Sequence, residues 1–266
     1  MKIIKMQGGL GNQLFQFFLS FSFIKNEKIY FDTSHFNKYK DRNFKLDLIF
    51  KDLDCINLSF LQNRYLKRIL NLLFPKRYYI QHNHFDSTNF KHNGFAYLDG
   101  YWQNLNYFNK YKSEILSKIT LKGFETESVI KYKKSITNSD VIVHVRRGDY
   151  VNNKIHFTCD FNYYQNAIKL MNDMFEISNI FFISDDIIYC KETFKEINNA
   201  VFIENTKDEI EDFILINSFN NIIISNSTFS WCAAWLTNVE KTIIAPKKWI
   251  NQEVSVNLYP EEWILI

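Results

Sequence analysis

Three runs of β-branched and aromatic residues in the second half of the chain each end in a polar loop. Val141–Val145 (VIVHV) enters Arg146–Asp149 (RRGD), Ile180–Ile183 (IFFI) enters Ser184–Asp186 (SDD), and Ile222–Ser225 (IIIS) enters Asn226–Ser230 (NSTFS). A run that is apolar on both faces suits a strand covered by helices on both sides, and such strands pair in parallel. Parallel pairing needs crossover connections, which restricts the chain to an α/β fold. In open sheets of this class ligands collect at the carboxyl ends of strands, where these loops fall. Ile243–Ala245 closes the set before Pro246–Trp249 (PKKW).

The first half opens in the same way. Lys2–Met6 reads as a strand, Gly8–Gln13 (GGLGNQ) as a tight turn, and Leu14, Phe17, Phe18 and Phe21 as the apolar face of a helix at i, i+3, i+4 and i+7. Lys28–Asp32 supplies the next strand, completing a βαβ unit. At 266 residues the chain exceeds the roughly 100–200 residues usual for one domain. Two α/β units are expected, 1–136 and 137–266, divided within the polar stretch Lys131 to Asp140.

Composition excludes several classes. Hydrophobic residues make up 46% with 26 Phe, and charged residues are 23%, which argues against extended disorder. The net charge of +3 is small and dispersed, so no nucleic-acid partner is expected, while small anions remain suitable ligands. Cys55, Cys159, Cys190 and Cys232 form no C-x-x-C pair and have no His at metal spacing, the pattern of free thiols in a reducing cytoplasm. The span between Lys5 and Lys25 is uncharged, but Gln7, Asn12, Gln13, Gln16 and three glycines argue against a bilayer span or a signal peptide.

Arg64–Tyr79 (RYLKRILNLLFPKRYY) mixes a Leu/Ile/Phe face with five basic residues. It reads either as a helix on an anionic membrane surface or as a core-facing helix with a solvated basic face. Asp99–Gln103 is an aromatic turn whose Tyr101 and Trp102 can stack on a sugar ring or simply pack.

The loops suit a sugar-nucleotide donor, whose leaving diphosphate gathers negative charge as the glycosidic bond breaks. Metal-free sites meet that charge with an arginine fork and the N–H groups at a helix start. Strand alternation puts His144 and Arg146 on one face and Arg147 on the other, so Arg146 is the diphosphate candidate and Arg147 supports carboxylates or the fold, unless the loop turns early and exchanges them. A solvated surface pair is the plain alternative. Ser227, Thr228 and Phe229 lie at a helix start able to receive phosphate oxygens, and an ordinary N-cap is the competing reading. Asp185 and Asp186 could hold a metal, read guanine through Asp185, or cap a helix; no further carboxylates accompany them, and no metal or other cofactor is expected.

Asp149 and His144 are the candidate bases beside the arginine, although arginine would lower the basicity of Asp149 and suit it better to orienting the guanidinium. The glycine turn does not match G-x-G-x-x-G; Asp32 lies at about the distance of a ribose-reading acid, and Gly9, Gly11 and Asn12 offer close backbone approach and an amide to the donor. Gln13, Tyr101, Trp102 and Gln103 are the acceptor-side candidates.

Taken together, GGLGNQLFQ at Gly8–Gln16, HVRRGDYV at His144–Val151, FISDD at Phe182–Asp186 and SNSTFSWCAAWL at Ser225–Leu236 resemble the bacterial α-1,2-fucosyltransferases of glycosyltransferase family 11. Order and spacing agree, and the resemblance extends over Gly100–Gln103, Tyr163, Tyr164 and Ala245–Trp249, nearly the whole chain. It implies a GT-B-like pair of Rossmann-like domains, with the acceptor on the N-terminal side and the donor on the C-terminal side. It further implies GDP-β-L-fucose as donor, Arg146 on its diphosphate, inversion to an α linkage, and no required metal. The implied acceptor is the 2-hydroxyl of a terminal galactose in a surface glycan, built on a lipid carrier at the inner membrane. Cys232 departs from the pattern, since the family commonly carries a second Trp after Trp231. The rival readings are a related enzyme with another GDP-sugar or linkage, and a non-catalytic glycan-binding module.

Overall fold

The structure, a computed structural model, describes residues 1–23, 27–38, 42–81, 85, 94–120, 125–151, 157–251 and 257–266, and structural statements concern these residues. The chain divides into two units, Met1–Thr120 with Ser255–Tyr259, and Leu121–Val254 with Pro260–Ile266.

In the first unit β1 (Lys2–Lys5) leads through Gly8 and Gly9 into α1 (Leu10–Ser20), and β2 (Ile29–Asp32), α2 (Ser34–Lys38), α3 (Leu46–Ile49) and β3 (Cys55–Ile56) follow. Then come α4 (Arg64–Leu73), β4 (Tyr78–Ile80), β5 (Ala96–Asp99) and α5 (Lys112–Lys118). The strands form a parallel sheet in the order β3-β2-β1-β5-β4. The uncharged span that starts the chain is therefore a core helix. Leu14, Phe15, Phe18 and Leu19 are fully buried, and Phe17 stacks against Phe50 at 4.0 Å between ring centroids. The stretch 64–79 is not one helix. It stops at Leu73 because Pro75 cannot continue the turn, and the chain re-enters the sheet at Tyr78.

The second unit contains α6 (Glu127–Ser135), β6 (Val141–Val145), α7 (Phe161–Met174), β7 (Ile180–Ser184), α8 (Ile187–Thr193) and β8 (Ala200–Phe202). It continues through α9 (Glu209–Ser218), β9 (Asn221–Ile223), α10 (Thr228–Trp235), β10 (Thr242–Ala245) and β11 (Ile264–Leu265). Its parallel sheet runs β11-β10-β9-β6-β7-β8. All five residues of β6 are buried, as a run apolar on both faces requires, and Phe182 stacks on Phe194 at 4.4 Å in the layer between sheet and helices. Helix α6 packs against α9, so the units part at Thr120 rather than at the expected 136/137.

Both sheets set a later strand on the far side of their first strand. From β6 the chain builds outward through β7 and β8, then returns to place β9 on the other side of β6. From β1 it builds through β2 and β3, then crosses to the far edge at β4 and comes back inward to set β5 beside β1. At β6/β9 the two crossovers diverge and leave a crevice at the strand ends, and in the first unit the loops after β1 and β5 flank the corresponding position.

Candidate functional site

The β6/β9 crevice gathers the loops singled out from sequence. His144, near the end of β6, reaches across it, its Nδ1 2.9 Å from Ser225 Oγ in the loop after β9. Burial, aided by the neighbouring Arg146 guanidinium, lowers the imidazole pKa to about 3, so the ring is neutral at physiological pH. A ring so weakly basic is poorly suited to take a proton from a hydroxyl. Its place is to bridge β6 to the loop after β9. Ser225 itself was not singled out as a site residue, and its position at the end of a strand run was the signal available.

Arg146 emerges beside this bridge with its side chain 21% exposed. One terminal nitrogen, Nη1, lies 2.8 Å from Asp185 Oδ2, and Nη2 donates to Asp149. The guanidinium sits over the Tyr150 ring at 5.2 Å, a contact that sequence reasoning missed although Tyr150 belongs to the same motif. Asp185 also accepts the Arg147 backbone N–H through Oδ1 at 2.9 Å. Gly148 makes this possible, because a Cβ there would fall 2.4 Å from Asp185 Oδ2. Both Asp185 oxygens bind the arginine loop, which holds the Arg146 guanidinium in place. Arg147 turns the other way, donating from Nε to Asp186 Oδ2 at 3.3 Å and lying 3.6 Å over Tyr189. Asp186 caps α8 by accepting the Tyr189 N–H at 3.1 Å. Among the described residues, no cluster of three or more His, Cys, Asp or Glu is placed to hold a metal ion.

The opposite wall of the crevice is the start of α10. Ser227 is its N-cap by backbone conformation, and no side-chain capping bond is made there. The loop is fixed from behind. Asn226 Nδ2 donates to Phe157 O at 2.9 Å and Trp249 O at 3.1 Å, and Tyr163 Oη donates to Ile224 O at 2.6 Å. Thr228 opens the helix, and the Phe229 ring packs 5.8 Å from His144 and 5.6 Å from Phe213. Cys232 is fully buried one residue beyond Trp231, which stacks on Trp235 at 5.6 Å.

The β1/β5 crevice of the first unit is lined by glycine and amides. Gly8 carries a positive φ of +81°, and a Cβ there would lie 2.8 Å from Asn12 Nδ2. The turn therefore requires glycine at Gly8, whereas Gly9 has nothing within 4 Å of such a Cβ, and Gly11 is buried in the first turn of α1. Gln103 Nε2 donates to Asn12 Oδ1 at 2.9 Å, joining the glycine turn to the aromatic turn, and Tyr101 is half-buried beside them.

Three assignments in this unit are corrected. Gln13 is fully buried and binds at both ends, to Gly8 O at 3.0 Å, Asn43 O at 2.8 Å and the Lys45 N–H at 3.0 Å, so it staples loops instead of contacting an acceptor. Trp102 is likewise fully buried, against Tyr79 and Tyr107, and offers no face to a sugar. Asp32 accepts from Tyr97 Oη at 2.6 Å and from the Ser34 and Leu58 N–H groups, each at 3.0 Å, so it ties strand ends together and does not read a ribose.

Beneath this crevice lies a buried ion triad. Lys5 Nζ is 2.9 Å from Asp99 Oδ1, Lys67 Nζ is 2.7 Å from Asp99 Oδ2, and Gln7 Oε1 accepts from Lys5 at 2.6 Å. Burial alone would raise the Asp99 pKa, but the two ammonium groups prevail and hold it below the usual carboxylate value.

A family model described as Glycosyl transferase family 11 matches residues 1–266. The chain is 31% identical over 291 residues to an alpha-1,2-colitosyltransferase of Escherichia coli, covering 99% of this chain and 98% of that one. It is 27% identical over 301 residues to the O-antigen biosynthesis glycosyltransferase WbnK of Escherichia coli, covering 97% and 98%. Among solved structures, the NodZ alpha-1,6-fucosyltransferase soaked with GDP-fucose superposes with a TM-score of 0.56 at 14% identity, over 89% of this chain and 92% of that one. The fold is the GT-B-like α/β pair of parallel sheets expected from the motifs. With a family match over its full length, its motifs in order at two strand-end crevices, and full-length relatives that transfer sugars, the chain belongs to glycosyltransferase family 11.

Proposed function

We propose that the chain transfers L-fucose from GDP-β-L-fucose to the 2-hydroxyl of a terminal galactose in a surface glycan, with inversion to an α linkage and no metal ion. The observation that carries this reading is the placement of Arg146 at the end of β6 and of the Ser225–Thr228 helix start at the end of the adjacent parallel strand β9, tied together by the His144–Ser225 contact. In the reaction the galactose O2 attacks C1 of the sugar from the face opposite the diphosphate. The C1–O bond breaks with its electron pair passing to the leaving phosphate, and the O2 proton passes to a base. Negative charge thus grows on the diphosphate, where a planar fork and the positive end of a helix dipole stabilise it.

Asp149 is 58% exposed, so its hold on Arg146 exchanges readily for a phosphate oxygen. Asp185, fixed by Gly148 and the Arg147 N–H, keeps the fork aimed meanwhile. Asp149 accordingly orients the arginine in this reading. The first unit supplies the acceptor side through Asn12, Tyr101 and Gln103.

A second donor is favoured by one observation, the full-length relative named for colitose transfer. Colitose is fucose without its 3-hydroxyl, so both donors present the same diphosphate to Arg146. GDP release measured with GDP-fucose, GDP-colitose and GDP-mannose, with and without EDTA, tests the reading. Turnover with GDP-fucose that survives EDTA and yields a 2-linked product supports it. Turnover with GDP-colitose alone moves the donor to colitose; equal use of GDP-mannose, or loss to EDTA, overturns the proposal.

A further inference from the structure

We infer that the outward face of α4, with the turns on either side of it, docks on an anionic phospholipid surface. A surface helix normally buries its apolar residues, yet no residue of α4 is buried. Its inner side is thin: Leu66 and Leu70 rest on the cluster around Tyr78 and Tyr97, and Lys67 is spent on Asp99. The outer side carries Tyr65, Ile69, Leu72 and Leu73, with Phe60 before the helix and Phe74 after it. Leu72 is 79% exposed and Tyr65 76%. Six of the fifteen exposed large apolar side chains of the described residues fall within Phe60–Phe74, so the exposure is a patch and not a scatter.

The charge around the patch has one sign. Arg64, Arg68, Lys76 and Arg77 are exposed, and no Asp or Glu occurs from Cys55 to Gln81. Arg64 and Arg68 stand next to Tyr65 and Ile69, where long stems can lie along the apolar side chains while their heads reach phosphate groups. A second copy of the chain fits this face poorly, because a two-fold contact would bring the basic patch against itself. A bilayer with anionic headgroups satisfies both the apolar and the basic components. The ten-residue helix is about 15 Å long, enough to lie in the interface and too short to span it. No helix of the described residues is long and apolar enough to cross a membrane.

Vesicle pelleting with the full chain tests this independently of any donor assay. The chain should sediment with phosphatidylcholine:phosphatidylglycerol vesicles, much less with phosphatidylcholine alone, and should be released by salt. Leu72→Ser with Leu73→Ser should cut the bound fraction about tenfold, and Arg64→Gln with Arg68→Gln by a similar factor. These side chains are exposed, so thermal unfolding and turnover of a soluble acceptor should not change. A chain that stays in the supernatant with anionic vesicles at low salt overturns the inference, as does a Leu72→Ser/Leu73→Ser protein that pellets like the parent. A dimer in sedimentation velocity that this double variant dissociates, without vesicle binding, would assign the face to self-association instead.

Discussion

At the β1/β5 crevice Lys5 and Lys67 share the carboxylate of Asp99 beneath the strand ends, whereas at the β6/β9 crevice Arg146 stands partly exposed between Asp149 and Asp185. Each crevice lies between a unit's first strand and a later strand set on its far side, and the charge is handled in opposite ways. Buried and mutually satisfied, the triad is committed to the fold, and the strand ends above it present only glycine backbone and amides. Placed at the rim, Arg146 keeps its charge available for exchange with a ligand anion. Strand order thus supplies a crevice, and the depth of the charges decides what the crevice can hold.

The largest effect expected to separate the two is at the rim. Arg146→Ala should lower kcat/KM about a thousandfold with unchanged circular dichroism and Tm, and Arg146→Lys should recover only part of the loss because the fork is absent. A fully active Arg146→Ala protein would erase the distinction. Next, Asp99→Asn strands the buried Lys5 ammonium and releases the half-buried Lys67, and should cost about 3–5 kcal/mol in a urea melt. Asp185→Asn, at the rim, should change stability by less than about 1 kcal/mol and act on the donor KM instead.

A third contrast is steric. At Gly100 an added Cβ would lie 2.5 Å from Gln81 Cβ and 2.7 Å from Gln81 Oε1, an oxygen that receives the Tyr101 and Trp102 N–H groups. Gly100→Ala should therefore destabilise the protein by about 1–3 kcal/mol, while Gly9→Ala, with open space at its Cβ, should be nearly neutral.

The smallest effect concerns pH. Asp212, in the first turn of α9, lacks the cationic partners of Asp99. Its Oδ1 is buried without a hydrogen-bond partner, and burial, reinforced by Asp208, Glu209 and Glu211, raises its pKa to about 6. The folded state holds this proton more tightly than the unfolded chain, so the contribution is present at acid pH and is lost as pH rises through about 6. Asp212→Asn should gain about 1–2 kcal/mol at pH 7 and nothing near pH 3.5. His144 works in the other sense: its folded pKa of about 3 lies below the usual value of 6.5, so its stabilising contribution is lost as pH falls across that window.

Legibility in the sequence followed the same line between topology and depth. The range Val141–Val145 was readable to the residue because four β-branched positions around a single His leave no other element of that length. Strands such as β3 and β11, two residues each, take their form from neighbours and carry no pattern of their own. The divergence of Arg146 and Arg147 followed from strand alternation. Gln13, Trp102 and Asp32 were misread because residue type announces hydrogen-bonding or stacking capacity and says nothing of which partner is nearer. In each case an intramolecular partner satisfied the group first.

The segment 255–259 has a consequence for how this protein is made. Leu258 is fully buried, and Asn257 O accepts the Leu105 N–H at 2.9 Å, so a stretch translated after nearly all of the second unit completes the first. A nascent chain on the ribosome therefore cannot finish its N-terminal unit and release it before the other emerges. Closing so long a loop is entropically slow, and until then the Leu105 N–H waits for its Asn257 partner. Cutting the gene at Thr120 should give an N-terminal fragment that needs the 255–259 peptide, supplied in trans, to reach its full stability.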